Sequence, residues 1–174
     1  MVKPDVLIVV DMLNDFVSED GALYVGDTVK KVIPQIQKKI AKYREENSPI
    51  IYICDWHEKD DPEFQMFPPH AVKDTRGAEV HKDLRPTAND VVMKKRRYSG
   101  FFGTELDSIL RDMGAKRIEL CGVCTNICVM YTAADARNRE YEVIVDRKCV
   151  DSFDRAAHEH ALKEMERVLG VKII

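Results

Sequence analysis

Short unbroken apolar runs recur along this chain, each followed by a longer stretch with helical periodicity. Val6–Val10 (VLIVV) and Pro49–Cys54 (PIIYIC) are apolar at nearly every position rather than at every second one. A strand with that pattern is covered on both faces, as in the interior of a parallel sheet. Between these two runs, Val29–Tyr43 has the spacing of an amphipathic helix. The same reading gives strands at Asp90–Met93, Arg117–Leu120, Val143–Val145 and Val171–Ile174. It gives helices at Thr104–Met113, Thr125–Arg139 and Asp154–Leu169, with Gly114 and Gly170 closing two of them. The predicted fold is α/β, a three-layer αβα arrangement around a six-stranded, mostly parallel sheet.

A chain of 174 residues fits one domain spanning residues 1–174. One region breaks the alternation. Residues 55–89 have little periodicity and carry Pro62, Pro68, Pro69 and Pro86 with three of the five histidines. A loop of that length in a compact domain is commonly functional, and its residues suit a metal-binding region. The 27 basic residues against 30 acidic ones leave a net charge of -3, which gives no bulk reason to expect nucleic acid or an anionic membrane as partner. No apolar run approaches the ~18 residues that span a bilayer. The start, MVKPDVLIVVD, enters a strand pattern directly and lacks a secretory cleavage signal, so a cytoplasmic location is expected. Five cysteines, an odd number, argue against a disulfide scaffold.

In open α/β sheets ligands bind at the carboxyl ends of the strands. Here strand one is followed by Asp11, strand two by Asp55, strand three by Lys94 or Lys95, and strand four by CGVCTNICV (residues 121–129). With Thr125 as a helix N-cap, Cys128 falls in the first turn, where free N–H groups and a positive dipole favour a thiolate and can hold an oxyanion. Cys121, at the end of a buried strand, reads as core, and Cys124, at the turn, matters through its backbone. Asp11 as base and a strand-three lysine as thiolate partner complete a trio sufficient for attack on a carbonyl. In the loop, Asp55 and His57 project to one side of an extended segment, and Glu63 and His70 flank PEFQMFPPH. Two imidazoles and two carboxylates suit zinc, iron or manganese; a solvated polar loop is the competing reading. His81 has no evident partner, and His158 and His160 are expected on the surface.

The chain resembles the isochorismatase-like cysteine hydrolases and, within them, the nicotinamidases. The segments that carry the resemblance are VVDMLNDF (9–16), DWH (55–57), MFPPH (66–70), KRRYSGFFGTELD (95–107) and GVCTNICVMYTAADA (122–136). The resemblance implies that Asp11 is the general base, Cys128 the nucleophile and Lys95, rather than Lys94, the lysine. It implies a cis peptide before Cys124, with the N–H groups of Cys124 and Cys128 forming the oxyanion hole. Asp55, His57, Glu63 and His70 match the metal ligands of such enzymes, and Phe16 and Phe67 match the aromatic groups that flank the substrate ring. In that family the metal holds the pyridine nitrogen of the substrate.

The implied activity is hydrolysis of nicotinamide to nicotinate and ammonia through a cysteine thioester, a step of NAD salvage. The expected cofactor is a divalent metal, zinc foremost, with iron or manganese as alternatives. The expected partner is a small carboxamide, nicotinamide with pyrazinamide as an analogue, with no nucleic acid and no membrane; a homo-oligomer is compatible with the chain. Another amidase or carbamoyl hydrolase of the superfamily is the near alternative. A phospho-accepting receiver domain also places acids and a lysine at strand ends, but such domains carry an adjacent acidic pair where Asp11 is followed by Met-Leu-Asn.

Overall fold

The computed structural model describes residues 5–174. Residues 1–4, which the single-domain and N-terminal expectations include, lie outside the described residues. Six strands form one parallel sheet in the order β3-β2-β1-β4-β5-β6. They are β1 (Val6–Val10), β2 (Ile50–Asp55), β3 (Val91–Lys95), β4 (Arg117–Val123), β5 (Glu142–Asp151) and β6 (Lys172–Ile173).

The helices are α1 (Asn14–Val17), α2 (Val29–Glu45), α3 (Leu106–Asp112), α4 (Met130–Asn138) and α5 (Arg155–Arg167). Helix α2 covers one face, burying Val29, Val32, Ile33, Ile36, Ile40 and Tyr43, the i, i+3, i+4 stripe of an amphipathic helix. Leu106 and Leu110 of α3, Ala133 and Ala136 of α4, and Leu162 and Met165 of α5 pack on the other. Every residue of β1 and β2 is buried, as continuous apolar runs require in the middle of a covered sheet.

Strand β3 differs because it is an edge. It buries Met93 and Lys95 and exposes Val92 and Lys94, so its side chains alternate and the lysine that faces inward is decided by parity. β4 also runs three residues further than the predicted Leu120, through Cys121, Gly122 and Val123. Gly122 allows that extension: its φ is +118°, and a Cβ there would lie 2.0 Å from the carbonyl oxygen of Val10.

Residues 56–89 fold back on the sheet as three 3₁₀ turns (Pro62–Gln65, Arg76–Ala78, Lys82–Leu84) and two isolated bridges, Leu13 with Val80 and His57 with Val72. Two local readings need correction. The N-cap position before the cysteine helix is Cys124, not Thr125; residues 125–129 form a π-type turn before α4 begins. His158 is buried, accepting or donating a 2.8 Å hydrogen bond between Nδ1 and the hydroxyl of Thr125, whereas His160 is exposed as expected. His158 shares its helical face with Ala161, Leu162 and Met165, and that spacing outweighs the charged residues between them. Among the described residues no helix is long and apolar enough to cross a membrane.

Candidate active site

The carboxyl ends of β1, β2, β3 and β4 converge. Asp11 follows β1 directly with φ +49°, a left-handed conformation that aspartate tolerates better than most residues, and its N–H donates to Ile53 O. Asp11 Oδ1 accepts the N–H of Asp55 at 2.7 Å, which fixes the carboxylate against β2. Asp55 and Lys95 are register partners in the β2–β3 pair, so their side chains leave the sheet together.

Lys95 Nζ, fully buried, lies 2.6 Å from Asp55 Oδ1, 2.7 Å from Asp11 Oδ2 and 3.4 Å from Cys128 Sγ. The Asp11 contact is an ion pair at hydrogen-bond distance but without hydrogen-bond alignment, and Oδ2 has no other protein partner. Oxygens of Asp11 and Asp55 and the sulfur of Cys128 all lie within 4.8 Å of one another. Lys94, by contrast, points outward with its ammonium 3.6 Å over the Trp56 ring.

The electrostatics of this cluster follow from burial. Desolvation and the neighbouring Asp55 charge push Asp11 up to about 6, against the pull of Lys95. Asp55 goes the other way: burial opposes its charge, but Lys95 and His57 outweigh it and hold the carboxyl below its ordinary range. Two carboxylates around one ammonium drive Lys95 well above the usual lysine value despite burial. The helix-turn position was expected to lower the proton affinity of the Cys128 thiol, and the shift runs the other way. Burial raises that thiol well above its ordinary value; Lys95 is the strongest opposing influence, and the charges of Asp11 and Asp55 add to the rise. Cys128 Sγ stands within 4.8 Å of oxygens of Asp11 and Asp55, and the raised proton affinity of its sulfur favours the thiol.

All five cysteine thiols are free and buried. Cys121 is in the core with its sulfur against Ile8 O at 3.6 Å, and Cys124 forms the turn, preceded by a cis Val123–Cys124 peptide bond.

Beside the thiol, the loop supplies a second cluster. His57 Nδ1 lies 3.1 Å from Asp61 Oδ2 and His70 Nδ1 lies 2.7 Å from Pro68 O, both acceptors, so Nδ1 of each ring carries the proton. Both Nε2 atoms thus turn a lone pair inward: His57 Nε2 is 3.6 Å from Asp55 Oδ2, and His70 Nε2 is 3.8 Å from Glu63 Oε1. Donor atoms of Asp55, His57 and His70 lie within 4.8 Å of one another. His57 Nε2 is a buried nitrogen without a hydrogen-bond partner, a lone pair of the kind that a metal ion satisfies. Imidazoles oriented through Nδ1, with carboxylates opposite, fit a divalent cation. Burial opposes a charge on His57, but Asp55 and Asp61 outweigh it and raise the ring's proton affinity, so this corner attracts positive charge.

A narrow, tightly closed pocket connects the two clusters. Cys128, Asp55, Glu63 and His70 supply the polar and reactive part of its lining. Phe16, Leu23, Phe67, Tyr98, Ile127 and Phe153 make its walls, an apolar slot with a few polar groups at one end. Phe16 and Phe67 each meet the His70 ring edge-on, at centroid distances of 5.4 and 6.1 Å. The larger groove around Asn14, Gln37 and Asp83 lies away from this chemistry.

The structure thus brings together Asp11, Lys95 and Cys128, and separately Asp55, His57, Glu63 and His70, with Asp55 common to both. His81, expected to be alone, accepts the Asp83 N–H at 3.3 Å and stands outside the pocket. Sequence reasoning missed Asp61 and Asp15. Asp61 precedes Pro62 and caps a 3₁₀ turn, a signal visible as Asp-Pro. Asp15 Oδ2 accepts the N–H of Ala71 at 2.8 Å, and Ala71 O in turn accepts the His57 N–H at 3.0 Å. Nothing local in the sequence announces that long-range pair.

A family model described as the isochorismatase domain matches residues 5–173. Among solved structures, the chain superposes on nicotinamidase/pyrazinamidase PncA from Bacillus subtilis with a TM-score of 0.93 and 33% identity, covering 98% of this chain and 99% of that one. It superposes on pyrazinamidase of Pyrococcus horikoshii, solved in complex with zinc, with a TM-score of 0.92 and 37% identity over 98% and 99% of the two chains. N-carbamoylsarcosine amidase from Thermoplasma acidophilum gives a TM-score of 0.88 and 37% identity over 97% and 94%.

Proposed function

The chain belongs to the isochorismatase-domain family of amidohydrolases, and from that premise we propose that it hydrolyses nicotinamide to nicotinate and ammonia. The observation that carries the proposal is the position of Cys128 Sγ, 3.4 Å from Lys95 Nζ and within 4.8 Å of an Asp11 carboxylate oxygen, in the lining of an aromatic slot that also holds His70 and Glu63. The slot's apolar, aromatic lining suits a flat heteroaromatic ring whose carboxamide would meet the thiol.

In this reading Asp11, ionised above about pH 6, takes the Cys128 proton as the sulfur attacks the carboxamide carbon. Lys95 offsets the negative charge that the sulfur carries in that step. The backbone N–H groups of Cys124 and Cys128 hold the oxyanion. Protonated Asp11 then gives its proton to the leaving nitrogen, the C–N bond breaks and ammonia departs. Asp11 next takes a proton from water, which cleaves the thioester to nicotinate and returns the thiol. Asp55, His57, Glu63 and His70 would hold a divalent ion, for which zinc is the proposed identity. When bound, that ion supplies a Lewis-acid position for the pyridine nitrogen.

A carbamoyl-type amidase is the second reading, supported by the 37% identity with N-carbamoylsarcosine amidase. The test is ammonia release from nicotinamide by zinc-replete protein, with Cys128→Ala as control. Release that vanishes in the variant supports the proposal. Release from carbamoyl compounds but not from nicotinamide overturns it.

A further inference from the structure

The carboxylate of Asp61 is almost fully enclosed, with 5% of its side chain exposed, and it has three partners. Oδ2 receives His57 Nδ1–H at 3.1 Å, Oδ1 receives the N–H of Glu63 at 2.9 Å, and Arg97 Nη1 lies 3.1 Å from both oxygens. Donor atoms of His57, Asp61 and Glu63 lie within 4.8 Å of one another, so the three could themselves be read as a cation site. Two facts argue against that. The oxygens of Asp61 are already taken by three donors, and one donor is a guanidinium whose charge would repel an ion placed there.

Asp61 therefore acts on the cluster from outside. Its bond to Nδ1 fixes the tautomer of His57 and aims Nε2 at Asp55. Its bond to the Glu63 N–H caps the 3₁₀ turn and sets where the Glu63 carboxylate starts. Arg97 follows Lys95 by two residues, so the end of β3 that brings an ammonium to the thiol also brings a guanidinium to Asp61. The basic run Lys94–Arg97 thereby divides its work: one residue stacks on Trp56, one is in the site and one holds Asp61.

We propose that Asp61, held by Arg97, is the positioning residue of the metal cluster, orienting His57 and Glu63 together. This rests on the assignment of Asp55, His57, Glu63 and His70 as metal ligands. The experiment is a zinc titration of metal-stripped full chain against a chromophoric chelator, with the visible spectrum of the cobalt-loaded protein as a second readout. Wild type, Asp61→Ala, Asp61→Asn and the neighbouring exposed-site control Asp60→Ala are compared. Asp61→Ala is expected to weaken zinc binding about 10–100-fold and to change the cobalt spectrum, with Asp61→Asn intermediate and Asp60→Ala unchanged. An Asp61→Ala protein with native circular dichroism and wild-type zinc affinity overturns the proposal. Should Asp61→Ala not fold, wild-type affinity and cobalt spectrum in Asp61→Asn overturn it equally. A wild type that binds no zinc also overturns it. Zinc binding that depends on Asp61 without ammonia release from nicotinamide upholds the positioning role and removes the substrate assignment instead.

Discussion

Asp55 faces two ways: Oδ1 accepts a 2.6 Å hydrogen bond from Lys95 Nζ while Oδ2 lies 3.6 Å from His57 Nε2. One buried carboxylate is therefore shared by the thiol cluster and the histidine cluster. Register pairing of Asp55 with Lys95 across β2 and β3 enforces this, because neighbours on parallel strands project to the same face.

Removing Lys95 leaves Asp11 and Asp55 as buried carboxylates without their cation. Lys95→Met is expected to cost about 3–5 kcal/mol of stability, the usual result of deleting one member of a buried pair. Urea unfolding of variant and wild type measures it. Equal midpoints and slopes would show that water or rearrangement compensates for the missing charge.

Cys128→Ala is expected to lower turnover by at least about 10³-fold, since loss of a covalent nucleophile leaves only binding and oxyanion stabilisation. Cys149→Ala, in β5 and away from the pocket, is expected to keep turnover. Alkylation by iodoacetamide, mapped by mass spectrometry, should compete with substrate at Cys128. Near-normal turnover in Cys128→Ala would remove it as nucleophile.

The pH profile is set by Asp11. Its carboxyl is raised by burial and by Asp55 to about 6, so the base is mostly protonated below that pH. kcat/KM is expected to rise with pH to a plateau, with an apparent pKa near 6. The stability effect has the opposite sign. A raised carboxyl binds its proton more tightly in the folded state, so its contribution is present below about pH 4 and is lost as pH rises to about 6. An acid limb centred near the ordinary carboxylate value would remove Asp11 as the titrating base.

Metal removal should act on binding more than on chemistry. Chelation is expected to raise KM for nicotinamide more than it lowers kcat, because the thiol, its base and its lysine are all supplied by the chain. Added zinc should stabilise the fold by mass action, about 2.7 kcal/mol at a hundredfold excess over Kd, and so raise the thermal midpoint. His57→Ala should abolish that shift. A midpoint indifferent to zinc in the wild type would refute the metal cluster.

Gly122→Ala tests the backbone that brings β1 and β4 together. With φ at +118° and Val10 O 2.0 Å from the missing Cβ, the variant is expected to lose about 2–5 kcal/mol, combining backbone strain with overpacking. Chemical denaturation reads this directly, and a variant as stable as the wild type would mean the close approach relaxes freely.

The layers of this protein and the identity of its reactive residues were legible in the sequence, because both depend on local pattern. VLIVV and PIIYIC are apolar on both faces, so they had to be interior strands, and the residues just past their carboxyl ends, Asp11 and Asp55, had to share one rim. The motifs around Asp11, Lys95 and Cys128 carried the family. Other properties came only with tertiary structure. Whether Lys94 or Lys95 turned inward needed the family resemblance to decide from sequence, and in the fold it is set by the parity of an edge strand. The direction in which the Cys128 thiol is shifted was misread because helix position is local, whereas desolvation is set by everything packed around it. Thr125 at the cap and His158 on the surface were misread for a related reason: their hydrogen bond spans 33 residues. Asp61 and Asp15 went unnoticed because their work is done across loops, on the backbone and ring nitrogens of residues that local pattern could not place beside them. Sequence periodicity fixes which side of an element a residue occupies, and only the packed chain fixes which charges and donors it meets there.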